Sequence, residues 1–345
     1  MTLRLLDLGT VSAARSQAVY HALAEAMTDD TPDSLVLLTP ETPYFCVGYH
    51  QDLNAALDTA HCRTVGFPII RRQLGGGAVY LDRHQLFYQL IVHRSRAPLA
   101  VTALYARYLQ GAVVALRQLG IAASLTPPNE IEVDGRRIAG TGAGQIGEAV
   151  VVVGNILFDF AYDAMAQAWQ VPSEAFRRLA VEGLRSCLTT LSRELSSTPS
   201  VEEVKDSLVT AYASSLGCPV VDGQLTDREI TLIAEAETRL TSPDWVEREG
   251  TLRQHGLKIS ARMTVHEASQ PTDQGSLKLT VRLKDGLIDH LHADPKHPPL
   301  EQSLSGLAPY GPDARDVVKR HESRPLHQEA WTLALQTVHG DNGHR

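Results

Sequence analysis

Three consecutive glycines, Gly75, Gly76 and Gly77, constrain this 345-residue chain more than any other feature. Glycine loses more backbone freedom on folding than any other residue, so a run of three serves a geometric need. Backbone without side chains lets a ligand approach closely and exposes N–H groups that can cradle an anion. Residues 68–72 read as a short strand that delivers the chain to the glycines. Arg71 and Arg72 close that strand with planar, permanently charged donors suited to phosphate or carboxylate. No Gly-Lys-Ser/Thr follows, so a Walker A loop does not fit, and neither does a dinucleotide GxGxxG.

A second segment repeats the pattern. Asn129 and Glu130 open it, Asp134-Gly135 lies between two strand-like runs, and a basic pair, Arg136 and Arg137, precedes Gly140, Thr141, Gly142 and Gly144. Asp-Gly in that setting is a strong hairpin signal. Taken alone, the segment is a hairpin followed by a flexible loop. Paired with the first, it offers a second Arg-Arg site beside glycine-rich backbone, and the two can meet over one anionic ligand.

The rest of the chain alternates helices and strands. A helix is expected over 13–27 with Ser12 as N-cap. Strands are expected over 35–38, 44–48, 85–93 and 149–160, and a helix over 102–119 closed by Gly120. Helices follow over 173–185 and 201–216, the second with Glu202 and Glu203 in its first turn. Beyond a connector at 217–226, a helix is expected over 227–239. Strands over 257–265, 277–283 and 287–292 come next, the last two joined at Asp285-Gly286, and helices near 300–307 and 326–338 finish the chain. This reads as a large α+β domain over 1–222, a connector helix and linker over 223–245, and a smaller α+β domain over 246–345.

A formal charge of −8, with 21% charged and 43% hydrophobic residues, excludes a global basic field for nucleic acid or an anionic membrane. No apolar stretch reaches the ~18 residues of a membrane helix, and Asp7 interrupts an N-terminal run too short for a signal peptide. The expectation is a cytoplasmic protein, monomeric, with no membrane or nucleic-acid partner. The four cysteines, Cys46, Cys62, Cys187 and Cys218, are scattered without a CxxC pair, which is neither a disulfide framework nor a zinc site. His290, His292 and His297 read as a solvated strand-to-helix turn, so no metal is expected. His50 is a candidate pocket-wall residue.

The motif Arg-Arg-x-x-Gly-Gly-Gly-Ala-Val-Tyr-x-Asp, followed by Asn-Glu-Ile and then Arg-Arg-Ile-Ala-Gly, resembles the lipoate–protein ligase family, within the wider biotin/lipoyl protein ligase fold. The resemblance covers most of residues 1–222. More weakly, the stretch from Ser242-Pro243-Asp244-Trp245 onward is similar to the accessory domain of bacterial lipoate ligases. It implies mixed β-sheets flanked by helices, with a smaller α+β accessory domain.

By resemblance the chain joins lipoate, or a similar medium-chain acid, to a lysine on a lipoyl-domain carrier protein. ATP and Mg²⁺ would first convert the acid to an acyl-adenylate. Arg72 matches the arginine at the nucleotide, and Gly75, Gly76, Gly77, Ala78, Val79 and Tyr80 match the loop lining the acyl and phosphate groups. Asn129 and Glu130 match an Asn-Asp pair near the adenylate, and Gly140 belongs to the segment facing it.

Arg137 stands where the family has its catalytic lysine, and Leu81 where many relatives carry histidine. Arginine keeps the charge but does not give up a proton near neutrality. The octanoyltransferase branches use a cysteine, and residues 63–186 contain none. An ATP-independent octanoyl or lipoyl transferase, and a non-catalytic lipoyl- or acyl-binding paralogue, are the alternatives.

Overall fold

The computed structural model describes residues 2–251 and 256–338. The chain forms two compact units, 1–168 with 188–252, and 169–187 with 253–345.

The first unit is built on β1 (Leu3–Val11), β2 (Ser34–Pro40), β3 (Tyr44–Val47), β4 (Ile69–Arg71), β5 (Val79–Leu81), β6 (Gln85–His93), β7 (Ser124–Thr126), β8 (Glu130–Val133), β9 (Arg136–Ile146), β10 (Ala149–Leu157) and β11 (Val220–Asp222). Eight of these strands make one mixed sheet in the order β11-β1-β2-β6-β10-β9-β8-β7, and β4-β3-β5 make a small second sheet. β1 runs parallel to β2 and to β11. From β2 to β7 the pairing is antiparallel.

Side-chain alternation divides the large sheet into two faces. Leu86, Tyr88, Leu90, Val152 and Ile156 point to one core, filled by the helices Val101–Tyr108, Gln110–Gln118 and Val201–Leu216. Phe87, Ile91, Val151 and Val153 point to the other. That core takes in the helix Ala13–Ala26, the small sheet and, through Ile233, Ala236 and Leu240, the helix Asp227–Thr241.

The local signals act as chemistry requires. Ser12 accepts from the Arg15 amide and starts the helix Ala13–Ala26. Asp134 and Gly135 both hold positive φ, at 49° and 72°, the geometry of a tight two-residue hairpin between β8 and β9. The expected helix over 102–119 is divided at Leu109 into Val101–Tyr108 and Gln110–Gln118. A larger difference concerns residues 140–144, read from sequence as a loop. They continue β9 to Ile146, because β10 pairs with it from Ala149↔Ile146 to Ile156↔Ala139.

The second unit is the antiparallel sheet β12 (Leu257–Lys258), β13 (Met263–Thr272), β14 (Gly275–Lys284) and β15 (Leu287–Asp294). Its core gathers Leu279, Val281, Ile288 and Ala293 with Leu300, Val318, Trp331 and Ala334 from the helices Pro298–Leu304, Pro312–His321 and Pro325–Thr337. The helix Glu174–Cys187 belongs to this unit too, with Gly183 close against Met263 and Ile259. Asp285 and Gly286, with φ of 53° and 79°, turn β14 into β15. His290 Nδ1 meets the Arg282 guanidinium at 2.6 Å, and His297 caps the helix Pro298–Leu304. Among the described residues no helix is long and apolar enough to cross a membrane.

Candidate functional site

The two arginines before the glycines do different work. Arg71 is fully buried. Its Nη1 donates to the carbonyls of Gly48, Tyr49 and Gln51 at 3.0, 3.2 and 2.7 Å. Its Nε and Nη2 donate to Val246 at 3.0 and 2.8 Å, and Nη2 reaches Arg248 at 3.3 Å. The Trp245 indole returns a hydrogen bond to the Arg71 carbonyl at 2.8 Å. Arg71 is therefore a structural clamp, which corrects its reading as an open anion donor.

Arg72 is half-buried and serves the loop itself. It donates to the Gly75 carbonyl at 2.8 Å, to Gly77 at 2.8 Å and to Cys46 at 3.2 Å. With these carbonyls turned to the guanidinium, the loop's amides are left for other partners. Among the described residues no amide of Gly75, Gly76 or Gly77 donates to a backbone carbonyl. All three glycines are exposed, and a Cβ at Gly75 or Gly77 would meet nothing within 4 Å. The space beside Gly75 and Gly77 is open. Gly76, at φ 95°, is the one that needs glycine for its conformation.

Two residues that sequence reasoning missed hold the loop from behind. A Cβ on Gly48 would lie 2.1 Å from the Gly76 carbonyl oxygen. All the atoms it would meet are backbone, so Gly48→Ala forces the loop to move. We expect a loss of about 1–3 kcal/mol in urea unfolding with faster amide exchange over 73–79, and unchanged exchange there would refute this role.

The second is His21, fully buried on the helix Ala13–Ala26. Its Nδ1 lies 2.7 Å from the Gln17 carbonyl, and the Gln73 amide donates to its Nε2 at 3.0 Å. A carbonyl only accepts, so Nδ1 carries the hydrogen and the ring is neutral. Burial, which outweighs the Gln17 hydrogen bond, lowers its pKa from 6.5 to about 3. The unfolded chain takes up a proton below pH 6.5 while the folded ring does not. His21 thus contributes fully above pH 6.5 and loses on the order of 1 kcal/mol per pH unit as pH falls towards 3. In His21→Gln the urea midpoint measured from pH 7 to 4 should fall less steeply; an identical slope would contradict the assignment.

The second glycine segment lies on the sheet face that carries the loop. Gly140, Gly142 and Gly144 pair with Asn155, Val153 and Val151, and a Cβ on Gly144 would lie 2.6 Å from a Leu74 methyl. The two segments singled out in the sequence therefore meet, Leu74 against Gly144. A hydrogen-bond chain ties floor to wall: Asn155 donates to Gln85, whose Nε2 donates to the Tyr80 carbonyl at 3.1 Å. A Cβ on Gly140 would lie 2.2 Å from the Asn155 Oδ1.

At the end of this floor Arg137 forms a two-pronged ion pair with Glu130 through Nε and Nη2. Asn129 sits beside them, its amide donating to Thr141 Oγ1 at 2.9 Å. Ala78 and Val79 continue the loop wall, Val79 being 39% exposed.

The remaining candidates lie elsewhere. The Tyr80 ring packs among Phe45, Phe67 and Phe160, with centroids 5.7–6.0 Å away, so Tyr80 offers the loop its backbone rather than its ring. That ring lines a cavity of about 440 Å³ with Pro43, Asp82, Arg83, His84 and Asp159, and none of the glycines reaches it. Leu81 is buried in the core below the loop. His50 is exposed, edge-on to Tyr49. Cys46 is fully buried beneath Arg72, and burial pushes its thiol up more strongly than the arginine pulls it down. Burial likewise pushes Cys62 up to about 11. Cys187 lies in the second unit, and Cys218 packs against the opposite face of the large sheet.

Comparison with known proteins identifies the family and the fold. A family model, the lipoyl protein ligase A/B catalytic domain, matches residues 12–213. Octanoyltransferase LipM of Symbiobacterium thermophilum is 24% identical over 249 residues, covering 66% of this chain and 90% of its own. Lipoate-protein ligase LplJ of Bacillus subtilis is 25% identical over 262 residues, covering 75% of each chain. Among solved structures, the bi-partite lipoate protein ligase of Thermoplasma acidophilum, described with its E2 lipoyl domain, superposes with a TM-score of 0.66 at 22% identity over 74% of this chain and 98% of that one. Lipoate-protein ligase A bound with ATP gives 0.62 at 20% identity over 73% and 100%. The shared architecture is the α+β fold of these catalytic domains.

Proposed function

Because this chain belongs to the lipoyl protein ligase A/B catalytic-domain family, we propose that it attaches a lipoyl or octanoyl group to a lysine of a lipoyl carrier domain, activating the free acid with ATP. The observation that carries this reading is the open space beside Gly75 and Gly77, where the loop meets β9 through Leu74 and Gly144, a groove in this reading, with Arg137 farther along the same strand and Cys46 and Cys62 buried. The amides of Gly75, Gly76 and Gly77 are placed to receive phosphate oxygens. Gly142 presents no side chain to an acyl chain there, while the space over Gly144 is taken by Leu74. Arg137 supplies the fixed charge beside the acyl carbonyl.

In the first step a carboxylate oxygen attacks the α-phosphorus of ATP and pyrophosphate leaves, giving the acyl-adenylate. In the second, the acceptor lysine attacks the acyl carbon, AMP leaves, and the amine proton passes to solvent. Arg137 does not take that proton near neutrality, so its role is electrostatic. Mg²⁺ enters with the ATP phosphates, as it commonly does; among the described residues no cluster of acidic, histidine or cysteine side chains offers it a separate cage.

The LipM relatives favour a second reading, octanoyl transfer without ATP. With every cysteine away from the groove, that transfer would be direct aminolysis of a carrier thioester rather than a relay through the enzyme. Intact-mass analysis of a lipoyl-domain acceptor separates the readings. The full chain is incubated with lipoate, ATP and Mg²⁺, or with an octanoyl-carrier thioester alone. A mass gain only in the first mixture supports ligation. A gain only in the second supports transfer. A gain in neither, beside a working control ligase, refutes both and leaves a binding protein.

A further inference from the structure

The charges at the Arg137 end of the groove are already matched from within. Arg137 is held by Glu130 through two parallel N–H···O bonds, the strongest geometry a guanidinium and a carboxylate can adopt. Arg136, its neighbour, pairs with Glu194 at 2.9 Å. Glu132, register partner of Arg137 on β8, is buried and, among the described residues, accepts from the Thr126 hydroxyl at 2.9 Å. Each of these two arginines is thus already paired with a carboxylate of the hairpin or its flank. The Arg137 pair is shielded, with side-chain exposures of 27% and 9%, so water screens it only in part.

An arriving free carboxylate meets this end at a disadvantage. It must take Arg137 from a carboxylate tethered seven residues away, and it brings a further negative charge beside Glu132. The tethered group competes at high effective concentration without loss of translational freedom. A neutral acyl group, such as a thioester, an amide or the acyl carbonyl of a mixed anhydride, carries no charge to place there. We propose that Glu130 is a specificity-determining residue: it occupies the anion seat of Arg137 and weakens capture of free medium-chain carboxylates relative to neutral acyl compounds of the same length. This rests on the groove being the acyl site, and it favours the transfer reading, with a thioester donor, over activation of the free acid.

Calorimetric titration of the full chain with octanoate and with octanamide tests it. Glu130→Gln keeps the shape and removes the charge. The variant should bind octanoate about tenfold tighter than the unaltered protein, and octanamide within about twofold. The unaltered protein should itself bind octanamide at least as tightly as octanoate, a measurement that does not depend on the variant folding. Octanoate binding that is no tighter in Glu130→Gln, an equal gain for both compounds, or a tenfold preference of the unaltered protein for octanoate would each overturn the proposal. If the acceptor is modified yet the Glu130 contrast is absent, the proposal alone fails. If neither compound binds and no acceptor is modified, the acyl-site reading falls with it.

Discussion

Arg71→Met should lower the unfolding free energy by about 3–5 kcal/mol, or roughly 10 °C in melting temperature. Methionine fills much of the volume but offers no donor. The carbonyls of Tyr49, Gln51, Val246 and Arg248 lose the Arg71 donor, and Gly48 keeps only the Gln51 amide. A buried carbonyl without a donor carries its full desolvation cost. These carbonyls come from two segments far apart in sequence, one beside the glycine loop and one at 246–248. The damage should therefore reach the loop, since β4 delivers the chain to it. Arg71→Lys should recover only part of the loss, because an ammonium has three donors at one point where the guanidinium spreads five over a plane. Urea unfolding of the full chain, followed by tryptophan fluorescence, to which Trp245, the donor to the Arg71 carbonyl, contributes with Trp169 and Trp331, measures the effect. A loss below 1 kcal/mol would show that the segments are held by something other than this clamp.

Arg71 also marks the limit of what the sequence discloses. The Arg-Arg-x-x-Gly-Gly-Gly and Arg-Arg-Ile-Ala-Gly patterns pointed to two segments that the fold brings together, Leu74 against Gly144. Both patterns report residue types in a row, and neither tells which arginine faces outward. On a strand, neighbours point to opposite sides, so one of two adjacent arginines must turn inward, and only the fold says which. The glycines at 140–144 were legible as small residues but not as a strand. Their pairing depends on β10, whose apolar run is compatible with several neighbours. His21 and Gly48 carried no local signal at all. One is a histidine on a helix, the other a glycine ending a strand, and each matters only because the loop happens to rest on it. The hairpins at Asp134-Gly135 and Asp285-Gly286 were legible because the turn's positive φ angles are a demand on two adjacent residues and need no distant partner. The sheet of the second unit owes part of its legibility to the second of those turns.

Arg137→Gln should slow acyl attachment by about 10²–10³-fold, the usual effect of removing one electrostatic stabiliser from an acyl-transfer site. The single variant confounds two effects. It removes the charge beside the acyl carbonyl, and it also leaves Glu130 shielded and unpaired, close to the buried Glu132. An unpaired carboxylate there costs about 1–3 kcal/mol, so part of any lost activity would come from a distorted hairpin. The double variant Arg137→Gln with Glu130→Gln separates them. Its two amides can hydrogen-bond in the same place, so stability should return to within about 1 kcal/mol of the unaltered protein. Activity should not return, because the charge is still missing. Arg137→Lys keeps a charge but gives up the two-pronged hold on Glu130. It should retain more activity than Arg137→Gln, since the proposed role needs charge rather than the planar fork. If the double variant regains the activity of the unaltered protein, Arg137 is a structural partner of Glu130 and no part of the chemistry.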